Sequence, residues 1–230
     1  EIIRDSSGYS IESVTIVEIM GRHAGWLTAS TCVLRANDEI APHLIYLPEN
    51  NFTAEKFLED IRNQMAKHKA VIIAVSEGVK LKGEENKPRV VDNFGHEYLS
   101  GIGKTLEQLV KENIGCKVRS IELNVMQRCS SHICSKTDID EAEEIGSAGV
   151  KAALAGKMMI FKRISDVPYV VTVDSVDAHD AANKEKFFPA QWLSEDGNDV
   201  KPEAVRYFLP LIQGEVKIAM KNGMPVHFKL

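Results

Sequence analysis

Three short apolar runs constrain this chain more than any other feature: Val14-Thr15-Ile16-Val17-Glu18-Ile19, Leu44-Ile45-Tyr46-Leu47 and Val71-Ile72-Ile73-Ala74-Val75. Their apolar and β-branched residues are consecutive rather than alternate, the pattern of strands buried on both faces. Each run stops at a breaker: Gly21 after the first, Pro48 after the second, Ser76-Glu77-Gly78 after the third. Helical stretches lie between them. Residues 23–36 are rich in Ala and Leu and predict a helix. Thr53 can cap a second helix, with Lys56 where a full capping box would have an acid or amide. Phe57, Leu58, Ile61 and Met65 give that helix one apolar stripe. Residues 80–100 are polar and glycine-bearing, a long loop or insertion, and a helix is expected at about 104–112. Beyond it the pattern predicts a fourth strand at 117–123, a helix at 138–154, paired strands at 157–164 and 169–173, and a helix from 202 that Pro210 interrupts. Strands alternating with helices predict an α/β fold with a mostly parallel sheet flanked by helices.

The 230 residues suffice for one large or two small domains. A net charge of -5 argues against nucleic acid as a partner, since such proteins carry a basic patch. No apolar run approaches the ~20 residues that span a bilayer, so no membrane role is expected. The start, Glu1-Ile2-Ile3-Arg4-Asp5, lacks an initiator Met, a basic n-region and an apolar h-region, and the expectation is a chain that begins inside a larger protein. Three of the four cysteines fall between 116 and 134, a usage that suggests reduced thiols and a cytoplasmic location.

Parallel sheets bind ligands in the crevice beyond the carboxyl ends of their strands. Polar signals fall there: Gly21-Arg22 after the first strand, Glu77 after the third, Gln127-Arg128 after the fourth. Glycine lets the backbone approach a ligand closely. Arginine matches phosphate oxygens bidentately, so Arg22, Arg119 and Arg128 suit an anion. Glu77 would repel phosphate but accept hydrogen bonds from sugar hydroxyls. Several cations beside one such acid suit a sugar phosphate. On pattern alone these arginines read equally well as surface ion pairs.

The segment Val14 to Leu27, centred on Met20-Gly21-Arg22, resembles the Met-Gly-Arg segment of the phosphofructokinases. Leu47-Pro48-Glu49, Val75-Ser76-Glu77-Gly78 and Val125-Met126-Gln127-Arg128 follow in that family's order and spacing. The resemblance implies that Met20 and Gly21 supply backbone contacts to fructose 6-phosphate. It implies that Arg22 lies between substrate and transferring phosphoryl group as a charge stabiliser, and that Glu77 accepts from a sugar hydroxyl. Arg119 and Arg128 would bind the 6-phosphate, the former reaching across to a neighbouring subunit. A homodimer or homotetramer is implied. Residues 1–128 would be the fructose-6-phosphate-binding domain, 129–200 a segment packing back on the N-terminal donor-binding domain, and 201–230 a C-terminal helix and tail. The family's Gly-Gly-Asp donor loop and Thr-Ile-Asp-Asn-Asp catalytic segment have no match here. The general-base Asp and the Mg²⁺ ligands are therefore expected upstream of Glu1, and the fragment alone is expected to be inactive.

Three departures bear on the donor. Val125 stands where the family usually has His or an aromatic, so one side-chain contact is lost. No arginine lies around Glu12-Ser13, where allosteric ATP enzymes carry one. Cys129-Ser130-Ser131 follows Gln-Arg in place of Gly-Gly. These features, with residues 135–142 and 211–215, are most similar to the pyrophosphate-dependent branch. The parent activity so implied is reversible phosphorylation of the 1-hydroxyl of fructose 6-phosphate by pyrophosphate, a glycolytic step. The ATP-dependent enzyme and a non-catalytic sugar-phosphate-binding subunit are the alternatives.

Other signals favour plainer readings. Gly101-Ile102-Gly103-Lys104-Thr105 imitates the end of a P-loop, but Tyr98 occupies the position of its first glycine, and a helix start is expected instead. Cys129, His132 and Cys134, with Cys116, match no common zinc spacing. Asp174, Asp177, His179 and Asp180 read as a solvated turn, and His23 as a locally satisfied helix-start residue.

Overall fold

The computed structural model describes residues 1–37, 40–83, 101–182 and 184–226. The chain divides into two compact units. The first comprises residues 1–127 and 185–205, the second residues 128–184 and 206–230.

The first unit opens with helix α1 (Ile2–Ser7) and is built on a parallel sheet. Its strands are β1 (Ser13–Ile19), β2 (Leu44–Tyr46), β3 (Ala70–Ser76) and β4 (Lys117–Glu122), in the order β2-β3-β1-β4. Every residue of β1 is buried, as its unbroken apolar run predicts for an inner strand. It pairs Ile16 with Ile73 of β3 on one side and Thr15 with Arg119 of β4 on the other. As an edge strand, β4 is only half-buried.

Helices α2 (Trp26–Ser30), α3 (Ala54–Met65) and α4 (Ile102–Asn113) complete the unit. Thr53 caps α3 by accepting from the Lys56 N–H at 3.2 Å. Phe57, Leu58 and Ile61 of α3 and Leu106 and Val110 of α4 join Val14, Ile16, Val71 and Ile73 in one core. Tyr46 is buried with them, and its hydroxyl donates to Asp60 at 2.9 Å. The predicted fold class, a parallel sheet flanked by helices, is the one observed.

The helix expected over 23–36 is shorter and tighter. Only Trp26–Ser30 is α-helical, and Thr31–Asn37 winds as a 3₁₀ helix. The hydroxyls of Ser30 and Thr31 donate to the carbonyls three residues back, at 2.7 and 2.6 Å from Leu27 and Thr28. Such local bonds compete with regular α-helical pairing. The long segment expected over 80–100 lies largely outside the described residues.

Residues 185–205 return to the first unit rather than continuing the second. Phe188 is buried and meets Trp26 and Trp192 edge-on at 5.2 and 5.8 Å between ring centroids. Arg35 grips Asp199 through two hydrogen bonds, of 2.8 and 2.6 Å.

In the second unit, helix α5 (Lys136–Ala153) packs on a hairpin of β5 (Met158–Asp166) and β6 (Tyr169–Val176). Ser135 caps α5 and donates its own hydroxyl to the Leu211 carbonyl at 2.6 Å, tying the tail to the helix start. The side chain of Arg163 lies over the Tyr169 and Tyr207 rings. Among the described residues of α5 only Ala152 is buried, and Val150 and the following Leu154 are exposed.

Candidate functional site

The chain leaves β1 at Ile19 and turns through Met20-Gly21-Arg22 at the carboxyl end of the sheet. Neighbouring strands hold this turn. The Met20 N–H donates to Gln127 Oε1 at 2.7 Å, and the Gly21 N–H to Glu77 Oε1 at 3.2 Å. The Gly21 carbonyl accepts from the Ser76 hydroxyl at 2.5 Å. Gly21 has φ +149°, and a Cβ there would come within 3.0 Å of the Ala24 carbonyl and of Ser76 Oγ. Only glycine suits such a position.

Three strands thus contribute to one locus. Glu77 follows β3 directly, and its own N–H donates to the Ile19 carbonyl at 2.9 Å. Gln127 arrives through the 3₁₀ turn Asn124–Arg128 after β4. Asn124 there has φ +42°, a left-handed conformation that asparagine tolerates. The Arg22 side chain is half-buried and has no hydrogen-bond or ion-pair partner among the described residues. His23 is exposed beside it, with Nδ1 3.9 Å from Glu185.

The other site residues named from sequence lie elsewhere. Val125 is 51% exposed in the turn before Gln127. Arg128 opens the second unit, exposed and without a partner among the described residues. Arg119 is not at the carboxyl end at all. It pairs with Thr15 in mid-strand, donates to the Tyr9 hydroxyl and lies 3.6 Å from Asp5. Lys117 stacks over the same Tyr9 ring at 3.5 Å.

Sequence reasoning gave no role to two acids that brace this end of the sheet. Glu18 is 4% exposed inside β1, and its carboxylate accepts from the N–H groups of Gly101 and Gly103 at 3.2 and 2.7 Å. It thereby caps α4. Burial pushes its carboxyl above the usual range, with Glu122 and Glu77 adding to the effect and the two N–H groups opposing it. A lone acid within an apolar strand run was the available signal. Glu49, in the Leu47-Pro48-Glu49 turn, accepts from the Gly25 N–H at 3.0 and 3.2 Å and from the Phe188 N–H at 2.8 Å.

The P-loop imitator starts α4 as expected, its Gly101 and Gly103 N–H groups directed to Glu18 and Lys104 paired with Glu107 at 2.9 Å. Asp177 caps the short helix α6 (Ala178–Ala181). No group of three or more His, Cys, Asp or Glu among the described residues could hold a metal ion. No helix among them is long and apolar enough to cross a membrane.

Comparison with known proteins adds a second line of evidence. The Phosphofructokinase family model matches residues 2–153. A pyrophosphate–fructose 6-phosphate 1-phosphotransferase of Halomonas elongata is 37% identical over 226 residues, 94% of this chain and 53% of that protein. One from Xanthomonas campestris is 35% identical, again over 94% of this chain and 54% of its own length. The crystal structure of a pyrophosphate-dependent phosphofructokinase from Marinobacter aquaeolei superposes with a TM-score of 0.81 at 28% identity, over all of this chain and 57% of that one. The chain therefore spans about half the length of the curated relatives it matches. With Met20-Gly21-Arg22, Glu77 and Gln127 at one end of a parallel sheet and two-thirds of its length matched by one family model, this chain belongs to the phosphofructokinase family.

Proposed function

We propose that the protein carrying this chain transfers a phosphoryl group between pyrophosphate and the 1-hydroxyl of fructose 6-phosphate, and that this chain supplies the sugar-phosphate side of the site. The observation that carries the reading is the braced Met20-Gly21-Arg22 turn, where an arginine with no partner among the described residues follows the Gly21 held by Glu77 at the carboxyl end of the sheet. Pyrophosphate is favoured over ATP because relatives matching 94% of the chain carry the pyrophosphate-dependent name.

In this reading Arg22 stabilises charge on the transferring group, the main protein contribution to phosphoryl transfer. Glu77 keeps Oε2 for a sugar hydroxyl while Oε1 holds the Gly21 N–H. Met20 and Gly21 approach the sugar with their backbone. Arg128 binds the 6-phosphate. Arg119 serves a neighbouring copy in a homodimer or homotetramer, which agrees with its place on an edge strand away from this turn. Val125 offers only an apolar contact. Mg²⁺, the general-base Asp and the donor-binding loop would belong to the portion of the relatives' length that this chain does not cover. The four free cysteines suit a cytoplasmic enzyme.

The test is turnover by the full-length protein with fructose 6-phosphate and Mg²⁺, using pyrophosphate and then ATP as donor. Formation of fructose 1,6-bisphosphate with pyrophosphate, reversed by added phosphate, is expected. Turnover with ATP alone would replace the donor, and no turnover with either would remove the reading.

A further inference from the structure

The turn from Met20 to Gly25 is pinned at both ends. Its upstream end is held by Gln127, Glu77 and Ser76, through Met20 and Gly21. Its downstream end is held by one side chain, Glu49, whose two carboxylate oxygens lie 3.0 and 3.2 Å from the Gly25 N–H. Arg22 and His23 sit between the pins. Glu49 Oε1 also accepts from the Phe188 N–H at 2.8 Å. That bond seats the returning segment, whose Glu185 approaches His23 at 3.9 Å and whose Lys186 carbonyl accepts from Trp26 Nε1 at 2.6 Å. One carboxylate thus joins the end of β2, the start of α2 and the returning segment. Hydrogen bonds to an ionised acceptor are about twice as strong as neutral ones, so a carboxylate suits this clamp better than an amide.

We propose that Glu49 is a positioning residue for sugar-phosphate recognition, acting through the Gly25 N–H to fix Arg22 and through the Phe188 N–H to fix the segment beside His23. This rests on the proposed function. Glu49 touches no substrate in this account. Its removal frees the downstream end of the turn while β1, β3 and β4 keep the upstream end in place.

The test uses the full-length protein. Glu49→Gln keeps the side-chain volume and one acceptor oxygen, but it replaces the carboxylate by a weaker neutral acceptor and loses the 3.2 Å contact of the second oxygen with the Gly25 N–H. The expected result is a rise in KM for fructose 6-phosphate on the order of tenfold, with the donor KM unchanged. Trp26 fluorescence should shift as the Lys186 contact loosens. A merely structural role lowers the active fraction instead, reducing kcat with both KM values unchanged, and that result would overturn the inference while leaving the proposed function intact. Absence of turnover in the parent protein would remove the proposed function and this inference together. Glu49→Asp, one methylene shorter, serves if Glu49→Gln does not fold. Failure of both to fold would assign Glu49 to structure and refute the positioning role.

Discussion

Gly78→Ala should damage the turn from outside it. A Cβ on Gly78 would lie 1.8 Å from the Arg22 carbonyl oxygen, 2.6 Å from its carbon and 2.9 Å from the Gly21 carbonyl oxygen. Real Cβ atoms do not approach closer than 3.0 Å, so the Arg22 backbone must retreat by on the order of 1.2 Å. The obstacle is main chain, which cannot rotate away as a side chain would. Overpacking of this kind costs about 1–3 kcal/mol. The retreat also strains the Ser76 bond to the Gly21 carbonyl and the Gly21 bond to Glu77, at roughly 0.5–1.5 kcal/mol each. The sum is about 2–6 kcal/mol against folding, with Arg22 displaced in whatever remains folded. Urea denaturation and the KM for fructose 6-phosphate are the two assays, and both should worsen. Gly146→Ala is the control. Its Cβ meets nothing within 4 Å inside α5, and it should stabilise the chain by about 0.5–1 kcal/mol. A Gly78→Ala protein with parental stability and parental KM would refute the reasoning.

Three further outcomes are expected. Arg128→Ala should weaken fructose 6-phosphate binding by roughly tenfold or more, from the 1.5–3 kcal/mol of a hydrogen bond to a charged group, and calorimetry on the full-length protein measures it. His43 should make stability fall in acid: burial, then the neighbouring His68, depresses its pKa from 6.5 to about 4, and its neutral Nδ1 accepts from the Ile72 N–H at 2.9 Å. A depressed histidine contributes stability that is fully present above 6.5 and lost as pH falls towards 4, so urea midpoints should drop across that window and drop less in His43→Asn. Finally, the 230-residue chain alone should show no turnover with pyrophosphate or ATP, since no residue in it matches the family's general base; measured turnover would contradict this.

Legibility in the sequence followed the range of the interactions. The inner strands were readable because consecutive apolar residues in Val14–Ile19 and Val71–Val75 need no partner to declare burial on both faces. The cap at Thr53 is a contact over three residues and was equally visible. The 3₁₀ winding after Ser30 was not, because Ala- and Leu-rich composition favours a helix while two hydroxyls bonded three residues back tighten it. The bond from Phe188 to Glu49 spans 139 positions, and no local pattern marks it. Arg119 shows the same limit from the other side. Its strand was legible, but its distance from the turn follows from the register that pairs it with Thr15.

The acids around the turn bear on how a crevice proposed to take a phosphate could tolerate so many carboxylates. Glu18, Glu49 and Glu77 all stand at the carboxyl end of the sheet, where negative charge would repel a phosphate. Each accepts from at least one backbone N–H: Gly101 and Gly103 for Glu18, Gly25 and Phe188 for Glu49, Gly21 for Glu77. Fixed N–H dipoles beside each carboxylate offset part of its field, and the acids act as braces for main chain. The arginines differ. Arg22 and Arg128 have no partner among the described residues. Had an acid paired with Arg22, an incoming anion would first have to break that pair and leave a carboxylate unmatched, at a cost of several kcal/mol in a partly buried site. Among the described residues, committing the acids to backbone N–H groups removes that competition from the braced turn.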